Sequence, residues 1–454
     1  MRDRFLKECK VTAKAGTYLI FCLVLAAIFF FLYRPDVRYD LIQSQKGILF
    51  EETKWGATEN HLLVKPAPDM ENYGSEDAEV PDQVRRNMAY RLYRDMVNNR
   101  YDTYRFGILT HKNLKYDDRQ KVLAIFEKIT GESFYKIDAE FYIMDLEKVM
   151  EDHNLNENQA ADYLREVYYK QLRNEFTAGQ TTTMFYDYAE YIPVNDSLSY
   201  DEYKKEIAEL RKIIGGHSDD YTNFAKYGSV PVTYDESLAR YETVVYKDGI
   251  SGAYARLFCD YMGAAAGLLP ALIAWEIFRG GFRGKKRDDD EIWIRFFAIT
   301  AMSLLPVLIL AVAATFELSS GVRPLGLSVD YFAYVGYSLL WLLPTTAFAA
   351  AVGLLFTVVT KRSVGIYVQL VIWYWSMSLW TRDGLEPVKY GANMFLRHSI
   401  LGGYDLYAAS LGWILVNRMA YLLAAIVLTA AAWYAKDRQL QLPAMPRIIR
   451  RRAV

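Results

Sequence analysis

The residues best placed to do chemistry lie in RGGFRGKKRDDDEIW, residues 279–293, a short link of glycines, bases and acids between two long apolar runs. Glycines beside lysines could cradle a phosphate, as the backbone N–H groups of a GxxxxGK[ST] loop do. The spacing argues against it. Three residues separate Gly280 from Gly284 where that loop has four, and Lys286 stands where a Ser or Thr would bind magnesium. The link remains either a topological stop or a docking surface, with Asp288, Asp289 and Asp290 able to start a short helix towards Trp293.

Other catalytic patterns are missing from the sequence. His61, His111, His153, His217 and His398 are scattered outside the apolar runs, with no HExxH and no Cys/His cluster at zinc-ligand spacing. Ser218, in GGHSDD, lacks the second glycine of a GxSxG elbow. Each histidine is expected to be an ordinary surface or satisfied residue. Among charges near the runs, Arg256 and Asp260 are expected to pair with each other or with the polar segment before them. Glu276 and Arg418 are expected to reach the interface from span ends.

The elements that would position these residues are membrane helices. Runs of roughly 20 apolar residues cross a hydrocarbon core of about 30 Å, and six are expected: 16–33, 253–278, 294–316, 331–359, 363–380 and 419–435. No small-residue cleavage site follows the first, so it reads as an uncleaved signal anchor. Pro270, Pro306 and Pro344 fall inside three different runs, where they are candidate bends. The fifth carries Gln369, Trp373, Tyr374, Trp375 and Ser376, residues expected to face protein or a cavity. Residues 381–416 are too apolar for a free loop and are split by Gly402 and Gly403. They are expected to form a re-entrant hairpin on the outer side.

Basic residues fix the orientation. They cluster before the first run, in the 279–292 link, after the fourth run and after the sixth. All four places share one side if there are six spans, so both termini are expected in the cytoplasm of a cell, with a bacterial plasma membrane the expected setting. Residues 34–250 then lie outside. They hold 28 Lys plus Arg against 40 Asp plus Glu, so the formal net charge of -1 conceals an acidic outer segment and a basic remainder. A nucleic-acid partner does not fit that division. Cys9, Cys22 and Cys259 all lie outside this segment, which must therefore hold together without disulfides.

Within it, helical periodicity dominates. Pro81 suits a first turn before Val84, Met88, Leu92 and Met96. Asp117 is expected to cap a helix that stops at Gly131, and Leu164, Val167, Tyr168 and Phe176 share the face of another. Ser199 and Glu202 have capping-box spacing ahead of Tyr203, Ile207, Leu210 and Ile214. The best strand signals, VTYDES and ETVVYK, are weak. The frequent tyrosines read chiefly as core and rim area. The expected class is mainly α: a polytopic membrane protein with six transmembrane helices, the outer hairpin and a mostly helical extracellular domain, divided as 1–33, 34–250 and 251–454.

This layout resembles the ABC type 2 permease family, the membrane subunits of exporters driven by a separate ATPase. The basic N-terminal segment RFLKECKV, the six spans, the inner link and the broken apolar hairpin carry the resemblance. It implies that Arg279, Arg283, Lys285, Lys286, Arg287, Asp288, Asp289, Asp290 and Glu291 contact the ATPase. It implies also that Asp260, Gln369, Trp373 and Tyr374 lie near a translocation path at a two-fold interface with a second permease chain, homomeric or related. No cofactor belongs to this chain; ATP and magnesium would be on the partner. A peptide, antibiotic or lipid-like substrate is expected, and the polar insert departs from the family's usual short loop. The alternative is a receptor or immunity protein whose outer domain binds such a ligand.

Overall fold

The computed structural model describes residues 2–52, 58–105, 108–172, 188–215, 221, 224–279, 291–378, 393–396 and 403–437. The chain is mainly helical and divides into two compact units. One comprises Met1–Thr53, Glu59–Tyr73 and Thr233–Val454; the other comprises Lys54–Thr58 and Gly74–Val232.

In the first unit, α1 (Arg2–Ala13) is separated from α2 (Gly16–Ile28) by a turn at Lys14 and Ala15. A π-helical turn, Phe29–Tyr33, carries α2 into α3 (Arg34–Gln45). Pro35 sits at the start of α3. A wider turn just before it suits a residue that has no N–H and whose ring crowds the preceding turn. The apolar run expected at 16–33 is therefore the first part of a 30-residue helical stretch, Gly16–Gln45.

The second unit is built on α4 (Pro81–Asn98), α5 (Tyr116–Thr130), α6 (Phe134–His153), α7 (Glu157–Leu172) and α8 (Tyr200–Ile214). Val84, Met88 and Leu92 of α4 meet Val122 and Phe126 of α5 and Tyr203, Ile207 and Leu210 of α8 in one buried cluster. Five of its tyrosines, Tyr93, Tyr101, Tyr188, Tyr203 and Tyr221, are almost wholly buried. Three of them donate to carboxylates: Tyr221 to Asp95 at 2.8 Å, Tyr188 to Asp145 at 2.8 Å and Tyr93 to Asp138 at 2.7 Å. Part of the acidic surplus thus satisfies hydroxyls in a tyrosine-rich core, where a bond to a charged group is worth about 1.5–3 kcal/mol. Short antiparallel pairs, Ser75–Asp77 with Ser229–Pro231 and Tyr101–Arg105 with Ile108–Lys112, complete the unit.

Local signals hold unevenly. Pro81 opens α4, Gly131 ends α5 in the left-handed region at φ 74°, and Ser199 with Glu202 makes a full capping box on α8. Asp117, by contrast, lies inside the first turn of α5, whose N-cap is Lys115. The weak strand signals are overturned. Thr233 and Glu236 form a second capping box, so VTYDES opens α9 (Tyr234–Glu242), and Thr243–Lys247 continues it as a π-helical turn. Val167, Tyr168 and Phe176 lie outside the described side chains.

The rest of the chain forms a helical bundle: α10 (Ser251–Ala266), α11 (Leu269–Arg279), α12 (Glu291–Val322), α13 (Ala333–Tyr337), α14 (Leu343–Thr360), α15 (Val364–Ser378) and α16 (Tyr404–Asp437). Among the described residues, five helical stretches are long and apolar enough to cross a membrane: Gly16–Gln45, Ser251–Arg279, Glu291–Leu325, Ala333–Thr360 and Tyr404–Lys436. The expected fifth span is represented by α15, whose 15 residues at about 1.5 Å each reach only about 22 Å. The expected hairpin also changes. Residues 404–416 are not a hairpin arm but the first part of the 34-residue α16, and Gly403 lies just before that helix. Residues 381–392 and 397–402 lie outside the described residues, while Asn393–Leu396 is non-helical and buried.

Two of the three prolines mark breaks in this bundle. Gly267 and Leu268 form a turn between α10 and α11 just before Pro270, and a π-helical turn, Ser338–Leu342, precedes Pro344. Pro306 sits inside the continuous α12. Glycine brings α11, α14 and α15 together. A Cβ on Gly353 would lie 2.4 Å from the carbonyl oxygen of Ala271, and one on Gly365 would lie 3.1 Å from the Cα of Gly353.

Candidate functional site

The two breaks expose backbone carbonyls inside an apolar bundle, where each unpaired one is costly. Side chains from α15 and α16 answer them. At the first break, Gln369 Nε2 donates to the Gly267 carbonyl at 2.6 Å and Trp373 Nε1 to that of Ala264 at 2.8 Å. These are two of the polar residues whose placement in an apolar run marked the fifth helix as facing protein. Gln369 Oε1 is buried, with no hydrogen-bond partner among the described residues.

At the second break, Arg418 projects from α16. Its Nη1 donates to the Trp341 carbonyl and to Thr345 Oγ1, both at 2.9 Å, and its Nη2 donates to the Met394 carbonyl at 2.9 Å. Nε donates to Asn417 Oδ1 at 3.0 Å, and Nη2 reaches the same oxygen. Every partner is neutral, and the guanidinium also lies 5.2 Å from the Tyr421 ring centroid. The expectation that Arg418 reaches the interface fails. It is 3% exposed, because α16 begins at Tyr404 and places residue 418 well along its length.

Arg418 thereby ties α16 to the break before α14 and to Asn393–Leu396. Asn417 Nδ2 donates to the Asn393 carbonyl at 2.9 Å, and Ser376 Oγ accepts from the Met394 N–H at 3.2 Å. Met394 and Phe395 pack against Gly267 and Gly263, so the segment touches the first break as well. A non-helical strip, two broken helices and the polar side chains of α15 and α16 converge here.

One end of the bundle carries its own cluster. Glu276 accepts from the backbone N–H groups of Gly16 and Thr17, at 3.3 and 2.9 Å, and from Thr17 Oγ1 at 2.6 Å, serving the N-terminus of α2 that its own N-cap Ala15 leaves unanswered. Arg295 pairs with Glu8 of α1 at 3.3 Å and with Glu291 at 2.5 Å, while Glu291 also meets Lys436 of α16 at 3.4 Å. Arg279 lies 4.6 Å from the Trp275 ring. Residues 280–290 lie outside the described residues, and with them Arg283, Lys285, Lys286, Arg287, Asp288, Asp289 and Asp290.

At the opposite end, Arg256 pairs not with Asp260 but with Asp248, in the polar segment before its helix, the second of the two expected arrangements. Nη1 meets Oδ1 at 2.8 Å and Nη2 meets Oδ2 at 2.5 Å. The guanidinium also lies 4.5 Å from the Tyr407 ring. Asp260 is half-buried on α10 and Tyr374 half-buried on α15. The first-span helix is anchored at the same end, Arg34 and Arg38 both reaching Glu317 and His61 Nδ1 lying 2.9 Å from Asp40.

No family model, no curated protein and no solved structure matches this chain.

Proposed function

We propose that the chain is the transmembrane permease subunit of an ATP-driven ABC exporter, working as a dimer with a second permease chain and coupled to a separate ATPase. The observation that carries the reading is the convergence at Asn393–Leu396. Irregular backbone and polar side chains are tolerated at membrane depth only when buried in protein or lining a cavity, and here they meet two broken helices. Such a centre suits a path that rearranges, and Gln369 and Trp373 sit on it.

The two ends support a six-pass topology. Glu8, Glu276, Glu291 and Lys436 gather at one end, whereas Ser251, Asp330 and Asp405 gather at the other through the Ser251–Asp330 and Lys247–Asp405 contacts. The chain leaves the first end after α14 and begins α16 at the second, which supports one further crossing between them, begun by α15. Asn393–Leu396 then belongs to a re-entrant stretch within that crossing. The basic end is cytoplasmic by the positive-inside rule, which makes the polar segment 34–250 extracellular.

Energy comes from a partner, because the sequence offers no nucleotide loop. Reconstitution in lipid nanodiscs with a candidate ABC ATPase from the same genome tests the reading. A permease subunit alters that ATPase's turnover several-fold; a receptor leaves it unchanged and binds its ligand without it.

A further inference from the structure

A cavity of about 410 Å³ opens at the end of the bundle away from α1, bounded on one side by the turn from Lys247 to Gly252 and on the other by Asp330 to Leu340, with Tyr407 of α16 completing it. Its size falls in the range of small-molecule sites, about 300–1,000 Å³. It lies wholly within one compact unit.

The turn is held in a costly shape. Ile250 is β-branched yet adopts φ 53°, a region such residues rarely enter. Its N–H donates to the Val244 carbonyl at 2.7 Å, and its side chain is buried. Gly252 makes room, since a Cβ there would come within 2.2 Å of Asp248 Oδ1.

Charge decides what the cavity fits. Asp248 is neutralised by Arg256, and Lys247 lies 3.7 Å from Asp405. Asp330 has no cationic partner among the described residues. Its Oδ1 accepts from the Phe332 N–H at 2.8 Å, and its own N–H donates to Ser251 Oγ at 2.8 Å, so the residue is fixed while its charge stays open. Phe332, 80% exposed, lies beside it; Tyr337 and Tyr407 also line the cavity, with their rings already facing the Arg256 guanidinium at 5.7 and 4.5 Å. A carboxylate beside an exposed aromatic ring is a surrounding that an organic ammonium ion prefers. Leu340 lines the apolar side, and the neighbouring Leu339 is 42% exposed on the helix surface, where an alkyl chain could lie.

We propose that this cavity binds the protonated amine head of an amphiphile, with Asp330 as counter-ion, Phe332 as the aromatic face beside the head, and the tail along Leu339 and Leu340. The site goes beyond the transporter reading and does not depend on it.

The test uses the full chain in nanodiscs of neutral lipid, with octylamine, octanol and octanoate as probes and the thermal midpoint as readout. Octylamine should raise the midpoint saturably by several degrees, octanol and octanoate should not, and Asp330→Asn, which keeps an acceptor for Phe332, should weaken the amine's apparent affinity at least ten-fold against its own ligand-free midpoint. Phe332→Ala should weaken it several-fold and serves as the second variant if Asp330→Asn fails to fold. An equal response to octanol would show partitioning alone and overturn the proposal. So would an amine response that survives in both variants, or none in the unaltered chain.

Discussion

Asp248 and Arg256 form a two-point ion pair whose side chains keep 2% and 0% exposure, the acid reaching back from a strained turn to a helix that starts three residues later. The Coulomb attraction of a buried pair only offsets its desolvation, but removing one partner leaves an uncompensated charge. Asp248→Ala or Arg256→Ala should therefore cost about 3–5 kcal/mol. Thermal unfolding of both single variants and the double variant checks this: the double should lose less than the sum of the singles. Additive losses would mean that the pair is not coupled.

Arg418 makes five hydrogen bonds through a planar fork. Lysine keeps the charge but has only three donors from a point, so Arg418→Lys is not conservative here. The substitution should leave the Met394 or Trp341 carbonyl unanswered at about 1–3 kcal/mol each. Labelling a cysteine placed at Leu396 with a small maleimide tests it. Reaction should be slow in the otherwise unaltered chain and at least several-fold faster with Arg418→Lys.

Acid should loosen the second unit from the start of α8. Hydrogen bonds from the Ser199 side chain and backbone hold the Glu202 carboxyl below its usual 4.5, and Lys204 together with Tyr200 does the same for Glu79. A depressed carboxyl contributes stability that is present in full above the unfolded value near 4.5 and is lost as pH falls through the lower folded value. Amide protection in the first turn of α8 should hold from pH 7 to about 5 and fall below 4.5. Ser199→Ala should cost about 1 kcal/mol and flatten that fall.

Local rules were legible where one residue type has one backbone use. Pro81, Gly131 and the Ser199–Glu202 box occupy the places their chemistry requires. Thr233 and Glu236 carry the same signature as that box, but the β-branched residues around them favoured a strand; the side-chain cap decided otherwise. The pair Tyr101–Arg105 and Ile108–Lys112 could have been read from alternation, since Tyr101 and Thr103 are both buried.

The polar centre was half legible. Gln369 and Trp373 stood out because amide and indole donors in an apolar run need acceptors, yet only the fold shows that those acceptors are the carbonyls freed before Pro270. Arg418 was misplaced because charge and Asn417 interrupt the apolar pattern, which seemed to begin the span after them. Its satisfaction depends on Trp341, Thr345 and Met394, distant in sequence and invisible to any local rule. Asp248 and Arg256 are eight residues apart across a turn whose shape no propensity predicts.

In the proposed transporter, energy enters through a partner docked on the 279–292 link. Affinity purification of the full chain in mild detergent, co-expressed with a candidate ABC ATPase from the same genome, tests this. The account predicts recovery of that ATPase in a fixed ratio and its loss when Lys285, Lys286 and Arg287 are all changed to Glu. Purification of the chain without any ATPase, or retention of the ATPase undiminished by the triple reversal, would contradict it.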